Sequence, residues 1–516
     1  MGDYGILSLI PPLLAIILCF ITKEVLSSLL IGIIVGATIV SGWNPIAGAM
    51  KTTGYMIANC ADEWNATMIL FSFIMGGFVG LIKYSGGARG FADFITQKVK
   101  NPLGVQVSAW ILGLIFFFED ISNTAIVGNT FRPLTDKLKV SREKLAYIVD
   151  STSAPVCSLS IISTWIAYQV GLIGAELQGT QITTNPYTLF VQSIPYSFYS
   201  IYALIFVFII AISGRDFGPM LQAEYRARTT GKVLADTAKP ITGEIEESIT
   251  SKPWAINMII PIITLIAVAL VGMWWTGGGP SAESVTQAIN DSDSMTALFW
   301  AGAAGVIVCM VMYSLQKIGT FEELMNALIE GIKMMVIANI ILLLAWALGS
   351  VTEEIGTANF IITNVQSIIT PSMLPLIVFI ASCIISYMIG TSWGTMAIVT
   401  PIAIPLALTL NVPVFIAISG VLSGSVMGDH CSPISDTTVL SSMFSGCDHM
   451  DHVRTQMPYS LLVTVMAIIS YILVAIGFPV VMVLVLGIVM LYGALYYISN
   501  ITAAKMNIKT PLKQTI

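Results

Sequence analysis

The sequence predicts an all-α polytopic membrane protein made of two inverted-topology repeats, each with a re-entrant hairpin and an interrupted helix. Three observations carry this expectation. Hydrophobic residues make up 56% of the 516 positions and charged residues 10%, against roughly 25% charged in soluble domains. Apolar runs recur from Leu7 to Ile498, most of them near the roughly 20 residues that cross a hydrocarbon core. Lys and Arg are concentrated in four stretches, and such residues in short loops mark the cytoplasmic side. A net charge of −6 without a basic patch argues against nucleic-acid binding. The seven cysteines are scattered, so no disulfide framework is expected.

The charges then order the elements. Basic stretches at 83–100, 132–144, 215–252 and 505–513 are expected inside, and the Lys/Arg-free loops 174–188, 276–294 and 351–372 outside. This puts the N-terminus outside and the C-terminus in the cytoplasm of a cell (plasma) membrane, the inner membrane of a bacterium. The opening run 6–21 lacks a basic flank and a small-residue cleavage site, and reads as the first span. It pairs with 25–41 around Lys23-Glu24, and 67–82 returns inward. Lys100 and Arg132 must both lie inside, yet two crossings between them would need about 40 residues. Residues 102–131 are therefore expected to enter, turn within the membrane and leave, with the turn buried in protein or lining a wet cavity. A span leaves from 145 to about 171, and 190–212 comes back.

Residues 214–252 then separate an N-terminal half (1–213) from a C-terminal half (253–516). Six basic and six acidic side chains fall within 215–252, so a mobile cytoplasmic linker is expected. In the second half 254–275 leads out, 295–315 in and 334–348 out. No Lys or Arg occurs between Lys333 and Arg454. Residues 373–410 thus read as a hairpin from outside, broken at Gly390-Thr391-Ser392-Trp393-Gly394. Residues 412–444 cross inward with a break at 428–433, and 459–476 and 480–497 finish inside.

The two halves also match at a constant shift of 272 positions, obtained by pairing Ala125 with Ala397. The shift aligns Ala125-Ile126-Val127 with Ala397-Ile398-Val399, Pro133-Leu134 with Pro405-Leu406, and Ser151, Ser153 and Ser160 with Ser423, Ser425 and Ser432. Repeats of opposite orientation whose broken helices meet at the midplane are a secondary-transporter architecture.

Four polar islands interrupt the apolar text. The first, Glu119-Asp120-Ile121-Ser122-Asn123-Thr124, places carboxylates at membrane depth, where they are costly and mark ion or proton paths. A cap at a half-helix start would be its structural role. The second runs from Asp150-Ser151-Thr152-Ser153-Ala154-Pro155 to Thr164, and Pro155 frees carbonyls that hydroxyls or a cation must satisfy. The third is Gly390–Thr395. The fourth, Gly428-Asp429-His430-Cys431-Ser432-Pro433-Ile434-Ser435-Asp436-Thr437-Thr438, joins two carboxylates and an imidazole to several hydroxyls, a set suited to a small cation or a proton. Two other chemistries fit short patterns. Gly390–Gly394 matches G-x-S-x-G with His430 as a possible base, although no strand precedes it. Cys447-Asp448-His449-Met450-Asp451-His452 offers metal-ligand types at a spacing unlike common zinc sites.

At these islands the chain resembles the NhaC-type Na⁺/H⁺ antiporter family. The likeness lies in Phe117-Phe118-Glu119-Asp120, Arg132–Lys137, Ser141–Ile148, Asp150-Ser151-Thr152, Ala154-Pro155-Val156, Gly390–Thr395 and Gly428–Thr438. The resemblance implies a secondary transporter of the wider ion-transporter superfamily with Ser-Asn-Thr-like hairpin tips. Ser122-Asn123-Thr124 matches that tip, and Trp393-Gly394-Thr395 is a degenerate copy. Glu119-Asp120-Ile121 departs from the family's two aspartates and an aromatic.

The resulting expectation is Na⁺/H⁺ exchange by alternating access and no enzymatic activity. Asp120 and Asp429 would carry cation and proton, with Na⁺ at Asp120, Asn123 and Asp429. Ser122, Thr124, Thr391, Ser392, Trp393 and Thr395 would complete the hairpin tips, and Asp150, Ser153, His430, Ser432 and Asp436 the broken-helix shell. No cofactor is expected beyond the coupling ions Na⁺ and H⁺. The expected partners are membrane lipid, small ions and a second copy of the chain, since the resembled superfamily is usually dimeric. Members like it also exchange malate for lactate or carry amino acids, so a Na⁺-coupled organic anion or amino acid is the alternative cargo.

Overall fold

The computed structural model describes residues 4–512 except 23, 88, 92–98, 100, 179, 181, 183, 241–253, 283, 285, 286, 289, 290, 358, 359, 361–369 and 509. Residues 92–98, 241–252 and 361–369 of the expected loops therefore lie outside the described residues. The described chain is helical, with no strand among these residues. In order the helices are α1 (Ile10–Thr22), α2 (Val25–Val40), α3 (Pro45–Ala61), α4 (Glu63–Tyr84), α5 (Pro102–Ile115), α6 (Asp120–Lys137), α7 (Arg142–Ser151), α8 (Ala154–Leu159), α9 (Thr164–Leu177), α10 (Pro186–Ser193) and α11 (Phe198–Ser213). Next come α12 (Gly218–Thr230), α13 (Ile256–Thr276), α14 (Ser294–Leu315), α15 (Phe321–Met334), α16 (Val336–Glu354), α17 (Leu374–Ile389), α18 (Ser392–Thr409), α19 (Val414–Cys431), α20 (Asp436–Ser445), α21 (His449–Ala475) and α22 (Val480–Lys505). Among the described residues, by length and composition, ten helices can cross a membrane, or up to twelve if each of two bent pairs is one span.

Both expected hairpins are present as α5–α6 and α17–α18; the interruption expected at Pro155 is the short gap Thr152–Ser153 between α7 and α8, a further gap at Ser160–Ser163 precedes α9, and the one expected at 428–433 falls at Ser432–Ser435. The sequence dictates these interruptions locally. Gly390 ends α17 at φ +77°, a left-handed conformation that costs glycine little. Pro155 sits in the first turn of α8, where its missing N–H is harmless.

The chain divides into two compact units, each drawn from both halves of the sequence. One contains 1–81, 161–196 and 260–425, and the other 82–160, 197–259 and 426–516. The first unit therefore holds the second hairpin with α9, and the second unit holds the first hairpin with α7, α8 and α20.

In the first unit α3 is an element the sequence reading missed. Asn44 Oδ1 accepts from the amides of Ile46 and Ala47, and the helix bends away from α2 by 120°. Its outer face exposes Ile46, Met50 and Ile57, while Lys51 reaches Glu354. A polar stripe on an apolar helix depresses its hydropathy, which hid it. Nearby, α4 lies backbone-to-backbone on α15. A Cβ at Gly80 would strike the carbonyl of Ala327, and one at Gly331 the carbonyl of Gly76. Close approach through small residues is how helices associate where lipid removes the hydrophobic drive. Gly331→Val should therefore destabilise the protein by about 1–3 kcal/mol through overpacking. The check is the melting temperature in detergent, and an unchanged value would mean that the crossing relaxes freely.

In the second unit the expected mobile linker needs correction over its first part. Residues 218–230 form α12, whose Glu224 is fully buried. Glu224 accepts from the Ser141 amide and hydroxyl at 2.8 Å and pairs with Arg228 at 3.1 Å. Part of the charge that suggested solvation is instead held in buried pairs. Arg226 likewise holds the buried Glu143 at 2.8 Å.

Candidate functional site

The second unit gathers buried polar groups around one carboxylate. Asp150 occupies the last turn of α7, just before the Thr152–Ser153 gap to α8, and is 1% exposed. Its Oδ2 accepts from Gln456 Nε2 at 2.5 Å and from Thr438 Oγ1 at 3.4 Å, and its Oδ1 accepts from Ser441 Oγ at 3.2 Å. Two imidazoles stand just beyond hydrogen-bond range, with His430 Nε2 at 3.7 Å and His452 Nε2 at 3.9 Å. Gln456 Nε2 also donates to the His430 carbonyl, which leaves its Oε1 to accept from His452 Nε2 at 2.8 Å. That pairing requires a hydrogen on His452 Nε2, a tautomer assigned from its partner. His430 is held on both sides, by Ser151 Oγ at 3.1 Å and Tyr199 Oη at 2.6 Å. Every direct ligand of Asp150 is thus a neutral donor. A buried carboxylate without a fixed countercharge is costly to keep ionised, which suits a group that alternately takes up a cation and a proton.

The first hairpin tip lies in the same unit. Glu119 caps α6, accepting from the amides of Ile121 and Ser122 at 3.0 and 2.5 Å. Its neighbour Asp120 is buried and lies within electrostatic reach of Asp436 at the start of α20, whose own side chain is exposed. Asn123 braces the tip: its Nδ2 donates to the carbonyls of Gly113, Phe116 and Thr152 at 2.8, 3.2 and 2.8 Å. Its Oδ1 is buried with no hydrogen-bond partner, so this oxygen suits a cation. Thr124 and Ser153 donate to nearby carbonyls at 2.7 and 2.8 Å, and Ser122 and Ser432 are buried. Asp429 is buried on the last turn of α19, and Thr438 Oγ1 reaches its carbonyl at 3.5 Å.

The first unit carries the second tip. Thr391 accepts from the Gly394 amide at 3.5 Å, and Thr395 donates to the Thr391 carbonyl at 2.9 Å. Ser392 is buried at the start of α18. The Trp393 ring lies 4.3 Å from that of Tyr168 and 5.6 Å edge-on from that of Trp165, and the Tyr168 hydroxyl donates to the Trp393 carbonyl at 2.6 Å. The same unit encloses a cavity of about 260 Å³ with Glu176 and Glu353 in its wall.

A sequence model described as the Na⁺/H⁺ antiporter family matches residues 156–476. The chain belongs to the Na⁺/H⁺ antiporter family. An uncharacterized protein of Haemophilus influenzae is 34% identical over 482 residues, which is 90% of each chain. The Malate-2H(+)/Na(+)-lactate antiporter of Bacillus subtilis is 32% identical over 31% of this chain and 33% of its own. In fold the chain is similar to the YdaH transporter of Alcanivorax borkumensis, at a TM-score of 0.56 and 12% identity, covering 84% of this chain and 90% of that one. The NhaC-type resemblance read from the islands is thus correct, and this antiporter-family chain is a multi-pass secondary transporter of the membrane.

For this family member the two short patterns lack the arrangement those chemistries call for among the described residues. Ser392 follows a helix rather than a strand, and both ring nitrogens of His430 are engaged by Ser151 and Tyr199. In the Cys447–His452 segment the histidines face different partners. His449 Nε2 meets the Pro433 carbonyl, whereas His452 meets Ser442 and Gln456. No group of three His, Cys, Asp or Glu side chains is arranged to hold a metal ion among the described residues. Sequence reasoning named Asp150 and His430 but missed Gln456, Tyr199 and Ser441, and read His452 only within the Cys447–His452 segment.

Proposed function

We propose that the chain exchanges Na⁺ for H⁺ by alternating access, with the N-terminus outside and the C-terminus in the cytoplasm. The observation that carries this reading is Asp150, a buried carboxylate ligated by Gln456, Ser441 and Thr438 and flanked by His430 and His452. With Na⁺ bound, the carboxylate is neutralised by the cation. With Na⁺ gone, a proton on the carboxylate or on a neighbouring imidazole performs the same service, so the two ions compete for one charge. Asp120, Asn123 Oδ1 and Asp429 would supply further oxygens for the cation.

The test uses purified protein in liposomes that hold a pH dye, pulsed with Na⁺ and separately with choline. Internal pH should respond to Na⁺ alone, and Asp429→Asn should remove the response. A wild-type protein that gives equal traces with both salts would sink pure cation exchange.

A second reading keeps Na⁺ and H⁺ as coupling ions but adds a small organic acid or amino acid as cargo. What favours it is a set of buried polar atoms without partners on α9, beside Trp393. The Bacillus subtilis relative, a Malate-2H(+)/Na(+)-lactate antiporter, joins Na⁺ and H⁺ to malate and lactate, which lends this reading support.

A further inference from the structure

On α9, Trp165 and Gln169 are both 1% exposed, yet Trp165 Nε1 and both amide atoms of Gln169 have no hydrogen-bond partner. Buried polar side chains in folded proteins are almost always satisfied, so each exception calls for a reason. Here three exceptions fall on two residues one helical turn apart, which share a face of the helix. They present two N–H donors and one carbonyl acceptor. The ring of Trp393 stands 5.6 Å edge-on from Trp165, and its carbonyl is anchored by the Tyr168 hydroxyl at 2.6 Å. Tyr168 lies 4.3 Å from the same ring, so the aromatic wall is fixed from two sides.

We propose that Trp165, Gln169 and Trp393 form the head-group subsite for a small acid bearing a carboxylate and, on the next carbon, a hydrogen-bond donor. The carboxylate accepts from Trp165 Nε1–H and Gln169 Nε2–H, and the adjacent ammonium or hydroxyl donates to Gln169 Oε1. The face of Trp393 packs on the body of the ligand, and with an ammonium it adds a cation–π attraction. Two donors and one acceptor select against a bare metal cation, to which N–H groups offer nothing, and against a simple monocarboxylate, which leaves Gln169 Oε1 unpaired. This proposal rests on the second reading above and gives it a location and a substrate class.

Calorimetric titration of the full-length protein in Na⁺-containing detergent buffer tests it. The probes are L-arginine and L-alanine as 2-amino acids, L-malate and L-lactate as 2-hydroxy acids, and acetate as the control. At least one class should bind while acetate does not, and the class that binds identifies the donor as ammonium or hydroxyl. Trp165→Phe keeps an aromatic ring and removes the indole N–H together with the five-membered ring, and Gln169→Leu keeps the bulk and removes the amide. Each should weaken that binding at least tenfold, and the melting temperature of each variant reports whether it is folded. If the acid binds both folded variants as tightly as wild type, the subsite is wrong while organic cargo stands. If no acid of either class binds wild type, the subsite and the second reading fall together.

Discussion

Asp150→Asn should abolish Na⁺-driven proton movement, lowering the initial rate at least about 100-fold, while the protein still folds. The substitution preserves volume but turns one acceptor into a donor. The new side-chain amide would have to present its N–H₂ edge either to Gln456 Nε2, now 2.5 Å from Oδ2, or to Ser441 Oγ, 3.2 Å from Oδ1. The serine hydroxyl can rotate and accept, so the structural cost is that of about one hydrogen bond, roughly 1 kcal/mol. The functional cost is of another kind. An amide carries no charge for Na⁺ to neutralise and takes up no proton near neutral pH, so the competition between ions disappears. Liposome traces for wild type and Asp150→Asn, read beside melting temperatures, separate the two costs. A variant with a wild-type Na⁺ response would remove Asp150 from the exchange. Gln456→Ala is the milder companion: it strips the amide that joins Asp150, His430 and His452. It should shift the pH at which exchange is half-maximal rather than silence it, whereas a structural brace alone would change only stability.

The parts of this arrangement that were legible in the sequence are those set by local chemistry. Gly390 ends its helix in a left-handed turn, Pro155 opens α8 and Pro433 lies in the gap between α19 and α20, and the distance from Lys100 to Arg132 predicts a hairpin before any packing is known. Asn123 was recognised through its tip motif, although not its task of binding three carbonyls at once. What stayed hidden depends on distant pairing. Gln456 lies 306 positions from Asp150 and Tyr199 lies 231 from His430, and each reads locally as one polar residue in an apolar helix. Glu119 and Asp120 look interchangeable in sequence. The turn assigns Glu119 to the helix cap and leaves Asp120 buried beside it. The charges of 215–230 suggested a solvated linker because composition alone says nothing of which charges meet.

Lys144→Met should cost about 3–5 kcal/mol, the loss expected when one partner of a buried ion pair is removed and the other stays charged. Lys144 and Asp216 form an ion pair with their side chains 1% and 3% exposed. The Tyr459 hydroxyl donates to Asp216 Oδ1 at 2.6 Å, and the Lys144 ammonium lies 5.5 Å from the centre of the Tyr459 ring. Asp216 is thus the counterpart of Asp150 within the same unit. Both carboxylates are buried, but one has a permanent cation and the other only neutral donors, so under the proposed exchange one fastens helices and the other carries the ions. Adding Asp216→Asn to Lys144→Met removes the stranded charge while keeping an oxygen for Tyr459. The double variant should therefore recover most of the loss, since a buried pair replaced as a whole is often close to neutral. Melting temperatures of the wild type, the single variant and the double variant in one detergent decide it. A double variant no more stable than Lys144→Met would mean that the cost lies in lost packing by the lysine stem and not in an unpaired charge.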